Sequence, residues 1–242
     1  MRPQSVMFMN TEKLKTYFTA VNTPEKPMVS IIVPVYNMKP HLDQFLQCCI
    51  QFYTLFSYEL IFVDNNSNDG SREHLEKLGA RVETETRQGV NYARQHGLDL
   101  ARGEVILTMD ADTIYPPDYI NNMVLELYAD ADVSLVWATS IGCLDPANPT
   151  FLEAIKLKIK SLSHRLITNK TAQAKAVGAC AMCFMKNTGV YYPLDLKNLA
   201  GCDDGMVAVQ LMRKGKIKRM RKGLYTTRGL NKRIGSGTWP LA

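Results

Sequence analysis

The sequence predicts an α/β fold in which helices flank a mostly parallel central sheet. A continuous apolar, β-branched run at 29–35 is typical of a strand buried on both faces, and further strands are predicted at 58–63 and 104–109. Stretches with helical periodicity lie between them, at 39–53 and 90–101. Because strands and helices alternate at short intervals, we expect right-handed βαβ units, which place successive strands parallel.

The rest of the chain continues this alternation. Asn10 or Thr11 is expected to cap a short helix that runs to Ala20, before prolines interrupt the chain. We therefore predict an N-terminal extension at 1–27, the α/β domain at 28–225 and a basic tail at 226–242. Within the domain, further strands are expected at 81–84, 133–139 and 176–185, and further helices at 71–78, 116–129, 151–168 and 204–214.

The composition is that of an ordinary globular protein, with 46% hydrophobic and 21% charged residues in 242. No apolar run reaches the length of a membrane span, and no apolar segment follows the N-terminus as in a secretory signal. The six cysteines lack the spacing of a disulfide framework, which suits a reducing compartment. We expect a cytoplasmic protein, with contact at the inner membrane face left open.

The positive charge is concentrated near the C-terminus. The net charge is +6, yet no Asp or Glu follows Asp204, whereas ten Lys and Arg residues do. Such a block suggests a polyanionic partner such as a diphosphate or an anionic lipid, and the alternative is a solvated tail. The block lacks the interleaved aromatic residues typical of single-strand binders, so we expect no nucleic-acid partner.

Two carboxylates, Asp110 and Asp112, follow the apolar strand at 104–109 directly. Ligands of α/β proteins bind at the carboxyl ends of parallel strands. Mg²⁺ is typically held by one or two carboxylates together with phosphate oxygens, so a cation that carries a diphosphate fits this pair. The alternative is that an Asp merely caps the following helix, and spacing alone does not decide between the two.

Polar residues also follow the first two predicted strands, at 36–37 and 64–71. Clusters at neighbouring strand ends form a cleft that could read a base and a ribose. Taken alone, the second cluster favours a plain turn, because Asn, Asp, Ser and Gly are the usual turn residues.

Together, these segments resemble the family 2 glycosyltransferases, which have the GT-A fold. The sequence VSIIVPVYN is similar to the opening of that family, and DNNSNDGS to its DDGSxDGS loop. GVNYARQHG is similar to its GxxxARNxG helix, and GEVILTMDAD to its GExIxxxDxD strand. Asn65, Asn66 and Gln95 depart from the pattern. The four segments begin at Val29, Asp64, Gly89 and Gly103 and occur in the family's order.

The resemblance implies a role for each matched position. Asp64 would read the nucleotide base, Arg87 and Gly89 would lie near the base or ribose, and Asp112 would bind Mg²⁺ or Mn²⁺. Asp110 would face the ribose and the metal. The nucleotide-binding set implied in this way is Pro34, Val35, Tyr36, Asn37, Asp64, Arg87, Gly89, Asp110 and Ala111.

The segment Gly201–Asp204 resembles the family's GxED motif and precedes an amphipathic helix. Its spacing from Gly215 places Asp204 on the catalytic Asp, and Asp203 stands where Glu is usual. An inverting transfer needs a base for the incoming hydroxyl. The alternative is that either Asp caps the helix, and the two roles are compatible.

The chain departs from many GT-A enzymes at the C-terminus, where a His is often a further metal ligand. The last His here is His164. Arg228, Lys232 or Arg233 could grip the diphosphate instead, since Arg pairs well with phosphate. The alternative is a disordered tail.

The resemblance implies an inverting, metal-dependent glycosyltransferase that uses a nucleotide sugar, UDP-linked by default, with a glycan or lipid-linked glycan as acceptor. The alternative is a non-catalytic nucleotide-sugar or polyanion-binding protein. A sugar-nucleotide pyrophosphorylase would require a glycine-rich phosphate loop, which 36–40 is not. The basic, apolar segment at 151–168 could rest on a membrane surface, pack into the core or pair two subunits as a homodimer.

Overall fold

The computed structural model describes residues 11–22, 25–142, 149–166, 177, 181–194, 203–220 and 224–226. The helices are α1 (Thr11–Asn22), α2 (Lys39–Cys49), α3 (Ser71–Lys77), α4 (Val90–Leu100), α5 (Tyr119–Tyr128), α6 (Phe151–Leu166) and α7 (Asp203–Met212), with a 3₁₀ turn at Lys186–Thr188. The strands are β1 (Val29–Val35), β2 (Tyr58–Asp64), β3 (Arg81–Thr84), β4 (Val105–Met109), β5 (Thr113–Ile114), β6 (Val133–Trp137), β7 (Ser140–Gly142), β8 (Ala181–Met185), β9 (Lys216–Arg219) and β10 (Leu224–Thr226).

The predicted α/β fold with a mostly parallel sheet is confirmed. Over the described ranges, seven strands form the central sheet in the order β3-β2-β1-β4-β8-β6-β9. Strand β1 pairs in parallel with β2 and β4, and β8 runs antiparallel to both of its neighbours, β4 and β6. The carboxyl ends of β1, β2 and β4 therefore meet at one edge of the sheet.

Helices cover both faces of the sheet because its strands are apolar on both sides. All seven residues of β1 are buried, and they alternate between two cores. Ile31 and Val33 pack with residues of α1, α2 and α5, whereas Ile32 packs with residues of α4 and α7. This two-sided burial is what the continuous apolar run in the sequence predicts.

Helix α1 belongs to the predicted N-terminal extension and packs on the domain. Leu14 and Phe18 are fully buried, and the Phe18 ring meets Phe62 of β2 edge to face at 6.0 Å. Residues 1–10 and 227–242 lie outside the described ranges, so the boundaries 1–27, 28–225 and 226–242 stay predictions.

Several element ends differ from expectation. Helix α5 begins at Tyr119 instead of 116, since Pro117 disfavours the helical conformation of the residue before it. Helix α2 ends at Cys49. The strand expected at 133–139 ends at Trp137, and residues 140–142 join a small sheet.

This small sheet was not predicted. Among the described strands, β5, β10 and β7 form it in that order. Tyr225 of β10 pairs antiparallel with Ile114, which follows Asp112 closely, and in parallel with Ile141. The small sheet therefore connects the segment after the two carboxylates to a part of the chain more than a hundred residues away in the sequence.

Candidate active site

The loops after β1 and β2 are joined by hydrogen bonds. Val35 and Asp64 are register partners at the ends of these strands. The Asn37 backbone N–H donates to Ser67 Oγ at 3.0 Å, and the Asn68 N–H donates to Asn37 Oδ1 at 2.9 Å. The polar side chains expected to line a cleft therefore lie together at these strand ends, and the space beside them is the candidate cleft.

Asp64 lies at the base of this cleft with 2% of its surface exposed. Its Oδ2 accepts from the Ser67 N–H at 3.3 Å. In the described part of the chain, its buried Oδ1 has no hydrogen-bond partner. Since an unsatisfied buried acceptor is costly, this oxygen fits a site that a ligand N–H completes.

Asn65 connects the cleft to the loop before α4. Its Nδ2 donates to the carbonyl oxygens of Glu85 and Arg87, each at 2.7 Å, and its Oδ1 accepts from the Gly89 N–H at 2.7 Å. The structure therefore brings Arg87 and Gly89 beside the loop that follows Asp64. The Asn66 backbone is left-handed, with φ 64°, which explains how Asn stands where the family has Gly.

Arg87 is held by a buried carboxylate. Its Nε and Nη2 donate to the Oε1 and Oε2 of Glu85 at 3.0 and 2.7 Å, and its guanidinium lies 4.8 Å from the centre of the Tyr92 ring. The Arg87 hydrogen bonds lower the pKa of Glu85 to about 2, against the opposing effect of burial. The guanidinium remains about half exposed and faces solvent beside the cleft.

Asp110 and Asp112 follow β4 at the edge of the sheet where the cleft lies. The Asp110 backbone N–H donates to Tyr115 Oη at 2.8 Å, and Thr113 Oγ1 donates to Asp112 Oδ1 at 3.2 Å. Ala111, between them, is buried. In the described ranges, no three His, Cys, Asp or Glu side chains gather as a metal cage. The two carboxylates still fit Mg²⁺ or Mn²⁺, which can take its remaining ligands from a diphosphate.

Arg94 of α4 joins this pair to the second half of the site. Its guanidinium is 3% exposed and donates from Nη1 to Asp204 Oδ1 at 2.9 Å and from Nη2 to Asp110 Oδ1 at 3.0 Å. Asp204 itself is buried near the N-terminus of α7. One buried cation therefore lies between a predicted donor-side carboxylate and the predicted base.

Sequence reasoning assigned no role to Arg94 or to the side chain of Asn65. A signal for Arg94 was present, because it shares the buried face of α4 with Ala93, Gly97 and Leu98. A charged residue on an apolar helix face indicates a buried partner.

Several predicted site residues lie outside what the structure describes. Arg228, Lys232 and Arg233 fall outside the described ranges, and of Asp203 only the backbone is described, at the start of α7. Pro34 and Val35 are buried in β1, and Tyr36 is partly buried just after it. The roles of all these residues stay predictions.

The fold defines an α/β protein with a mostly parallel central sheet, and comparison with known proteins identifies the family. The glycosyl transferase family 2 profile matches residues 30–190. The chain belongs to glycosyltransferase family 2.

Relatives in this family are similar over part of the chain. An undecaprenyl-phosphate 4-deoxy-4-formamido-L-arabinose transferase from Pseudomonas fluorescens is 34% identical over 116 residues, which are 43% of this chain and 33% of that protein. The matched region therefore spans about a third of the relative's length.

Solved structures confirm the GT-A fold. The mannosyltransferase PcManGT from Pyrobaculum calidifontis, in complex with GDP-Man and Mn²⁺, has a TM-score of 0.64 at 20% identity, covering 94% of this chain and 73% of that one. Staphylococcus aureus TarS 1-349, in complex with UDP-GlcNAc, has a TM-score of 0.63 at 17% identity, covering 87% and 61%.

Among the helices described, none is both long enough and apolar enough to cross a bilayer.

Proposed function

We propose that this protein is an inverting glycosyltransferase that moves a sugar from a UDP-linked donor to a hydroxyl of a glycan or lipid-linked acceptor. The observation that carries the proposal is the Arg94 bridge, in which Asp204, the proposed base, and Asp110, a proposed donor-side carboxylate, pair with one guanidinium. Family membership supports the transfer chemistry.

The Asp64 carboxylate supports uracil as the base. Its Oδ2 is already occupied by the Ser67 N–H, and its Oδ1 is the acceptor still available. Uracil presents a single N–H on its pairing edge, which one acceptor satisfies. Guanine presents two adjacent donors on that edge and would leave one of them unpaired, which costs affinity.

Asp110 and Asp112 would hold Mg²⁺ or Mn²⁺, and the bound ion would supply positive charge to the diphosphate. In support, the PcManGT complex contains Mn²⁺ with its nucleotide sugar. Arg228, Lys232 and Arg233 are proposed as further diphosphate contacts. The names of the Pseudomonas relative and of a Pyrococcus furiosus dolichol-phosphate mannosyltransferase support a lipid-linked acceptor.

In the transfer itself, the acceptor hydroxyl gives its proton to Asp204 as its oxygen attacks the anomeric carbon. The bond from that carbon to the β-phosphate oxygen breaks, and UDP leaves with the bonding electron pair. Attack opposite the leaving group inverts the anomeric centre. The guanidinium of Arg94 orients Asp204 for this step, since it fixes one carboxylate oxygen by a charged hydrogen bond.

A thermal-shift panel of UDP, GDP, ADP and CDP, with and without Mn²⁺, tests the proposal, because bound ligand stabilises by mass action. We expect UDP with Mn²⁺ to give the largest shift and Asp112→Ala to remove the Mn²⁺-dependent part. Asp204→Asn should show the same thermal shift with UDP as wild type. Its turnover of the UDP-sugar, measured as released UDP, should be about 10²–10⁴-fold slower.

Each arm of the panel can contradict one part of the proposal. If GDP gives the largest thermal shift, the proposal that Asp64 recognises uracil is wrong. An unchanged shift in Asp112→Ala would contradict the metal site, and full turnover by Asp204→Asn would place the base elsewhere. Binding by wild type without turnover of any UDP-sugar would indicate a non-catalytic protein.

A further inference from the structure

Helix α6 carries an apolar stripe on its outer face. Successive residues of a helix are turned by about 100°, so five of its apolar residues fall within an arc of about 100°. Leu157, on the opposite side, is buried. This is the reverse of an ordinary surface helix, whose apolar face points inward. The α6 apolar stripe consists of Phe151, Leu152, Ile155, Ile159 and Leu162.

The stripe is open to solvent over most of its length. Phe151 is 80% exposed and Leu152 is 67% exposed at the start of the helix. Ile159 and Leu162, two turns further on, are 62% and 57% exposed. Singly exposed apolar residues are normal, but a contiguous exposed row indicates an interaction surface.

Lysines lie on both sides of the stripe. By helical position, Lys156 falls on one flank and Lys158 on the other, and both are exposed. The acidic residue of this helix, Glu153, accepts from the N–H and the Oγ1 of Thr150, each at 2.7 Å, and so serves as an N-terminal cap. The surface around the stripe is therefore apolar at its centre and positive at its edges.

We propose that the outer face of α6 is a docking surface for an anionic lipid bilayer, on which the helix lies parallel to the membrane plane. An apolar stripe bordered by Lys is the pattern that binds at a lipid interface, where the chains take up the stripe and the headgroups pair with the lysines. A second copy in a symmetric dimer fits less well, because Lys156 and Lys158 would be brought toward their own counterparts across the apolar contact.

The position of α6 relates this surface to the candidate site. Lys160 Nζ donates to the Ser140 carbonyl of β7 at 2.7 Å, which fixes the helix to the small sheet. Strand β7 pairs with β10, and β10 pairs with β5, which follows Asp112. Docking through α6 would therefore hold Asp110 and Asp112 near the lipid surface, with the small sheet between them and α6. Docking of this kind depends on neither the donor nor the acceptor.

Cosedimentation of the full chain with vesicles tests the proposal without any nucleotide. We expect binding to vesicles of phosphatidylcholine with phosphatidylglycerol at low salt, weaker binding at high salt, and little binding to phosphatidylcholine alone. Lys156→Gln with Lys158→Gln should weaken binding about thirtyfold, and Ile159→Ser with Leu162→Ser at least about tenfold. The controls, Lys13→Gln with Lys77→Gln and Leu125→Ser, change exposed residues on other elements and should bind as wild type.

Absence of binding to the anionic vesicles at low salt would overturn the proposal, and so would equal binding by the α6 variants and wild type. Equal binding to neutral and anionic vesicles would contradict the role of the lysines. The oligomeric state is measured in parallel by sedimentation velocity. If Ile159→Ser with Leu162→Ser converts a dimer to a monomer and leaves vesicle binding unchanged, the stripe is a contact between copies of the chain.

Discussion

At the scale of single residues, the site is organised by the charge of Arg94. Asp110 and Asp204 come from segments far apart in the sequence and are both largely buried. Without a cation between them, their negative charges would repel in a poorly solvated environment. Arginine suits this position better than lysine because its planar fork can donate to two carboxylates at once.

This arrangement predicts a non-additive effect on stability. Arg94→Met should lower the free energy of unfolding by about 3–5 kcal/mol, since it leaves buried carboxylates without their cation. Asp110→Asn with Asp204→Asn in the same chain should recover part of that loss. Urea unfolding of the four combinations measures the coupling.

The control for this cycle is Arg72→Met, which removes an exposed ion pair between Arg72 and Glu76 in α3. It should change stability by less than about 1 kcal/mol. If Arg94→Met lowers the free energy of unfolding equally with and without the two Asn substitutions, Arg94 does not act by pairing with these carboxylates.

The motifs predicted some of these positions and not others. Asp64, Asp110 and Asp204 were predicted because their segments resemble family 2 motifs, since an Asp at a strand end or a helix start by itself is equally typical of a turn or a cap. Asn65 does not stand out, since Asn is common in turns. Its hydrogen bonds reach carbonyl groups about twenty residues away, and nothing local in the sequence indicates such partners.

At the scale of elements, the junction between α4 and β4 shows how a motif residue serves packing. The Gly103 N–H donates to Ser30 Oγ at 2.8 Å, and Ser30 Oγ donates to Glu59 Oε1 at 2.6 Å. Burial alone would raise the pKa of Glu59, but Ser30 and Arg102 donate to its carboxylate and lower it overall. This junction lies at the end of β1 opposite the cleft.

Gly103 is required here because a side chain would meet the backbone. A Cβ at this position would lie 2.6 Å from Ser30 N and 2.7 Å from the Val29 carbonyl carbon. We expect Gly103→Ala to lower the free energy of unfolding by about 3 kcal/mol, by forcing the segment between α4 and β4 away from β1.

Thermal and urea unfolding measure this loss. Gly79→Ala is the matched control, because its Cβ would meet nothing within 4 Å and only its φ of +81° opposes the change, which costs about 1 kcal/mol. Equal losses at the two positions would contradict the packing role of Gly103.

The elements that sequence analysis predicted are the long, regular ones. Continuous burial gives β1, β2 and β4 a clear apolar signature, and helical periodicity does the same for α2 and α4. Strands of two or three residues such as β5 and β7 carry no such period, because their pairing with β10 is decided by distant parts of the chain. For α6, the periodicity predicted a helix but could not tell which way its apolar stripe would face.

At the scale of the whole molecule, hydrogen bonds from α4 connect the two halves of the candidate site. Besides the bond from Arg94 to Asp204, Asn91 Nδ2 donates to the Pro193 carbonyl at 2.9 Å and Tyr92 Oη to the Leu194 carbonyl at 3.0 Å. Gln95 Oε1 accepts from the Tyr192 N–H at 2.8 Å. One helix thus holds both the segment after β8 and the start of α7, so global stability and site geometry are coupled.

The stability of the whole molecule is also expected to be sensitive to acid, through Glu85. Its pKa is about 2 in the folded protein, chiefly because Arg87 donates to it, and about 4.3 in an unfolded chain. Since the folded pKa is the lower one, the ionised carboxylate stabilises the fold above about pH 4.3, and this contribution is lost as the pH falls toward 2.

We expect Glu85→Gln to lower the free energy of unfolding by about 1–2 kcal/mol at pH 7, allowing for solvent around Arg87. Urea unfolding at several values between pH 7 and about 3 should show a shallower decline with acid for this variant than for wild type. Glu76→Gln, which alters an exposed pair, should decline in parallel with wild type, and a parallel decline by Glu85→Gln would contradict the assignment.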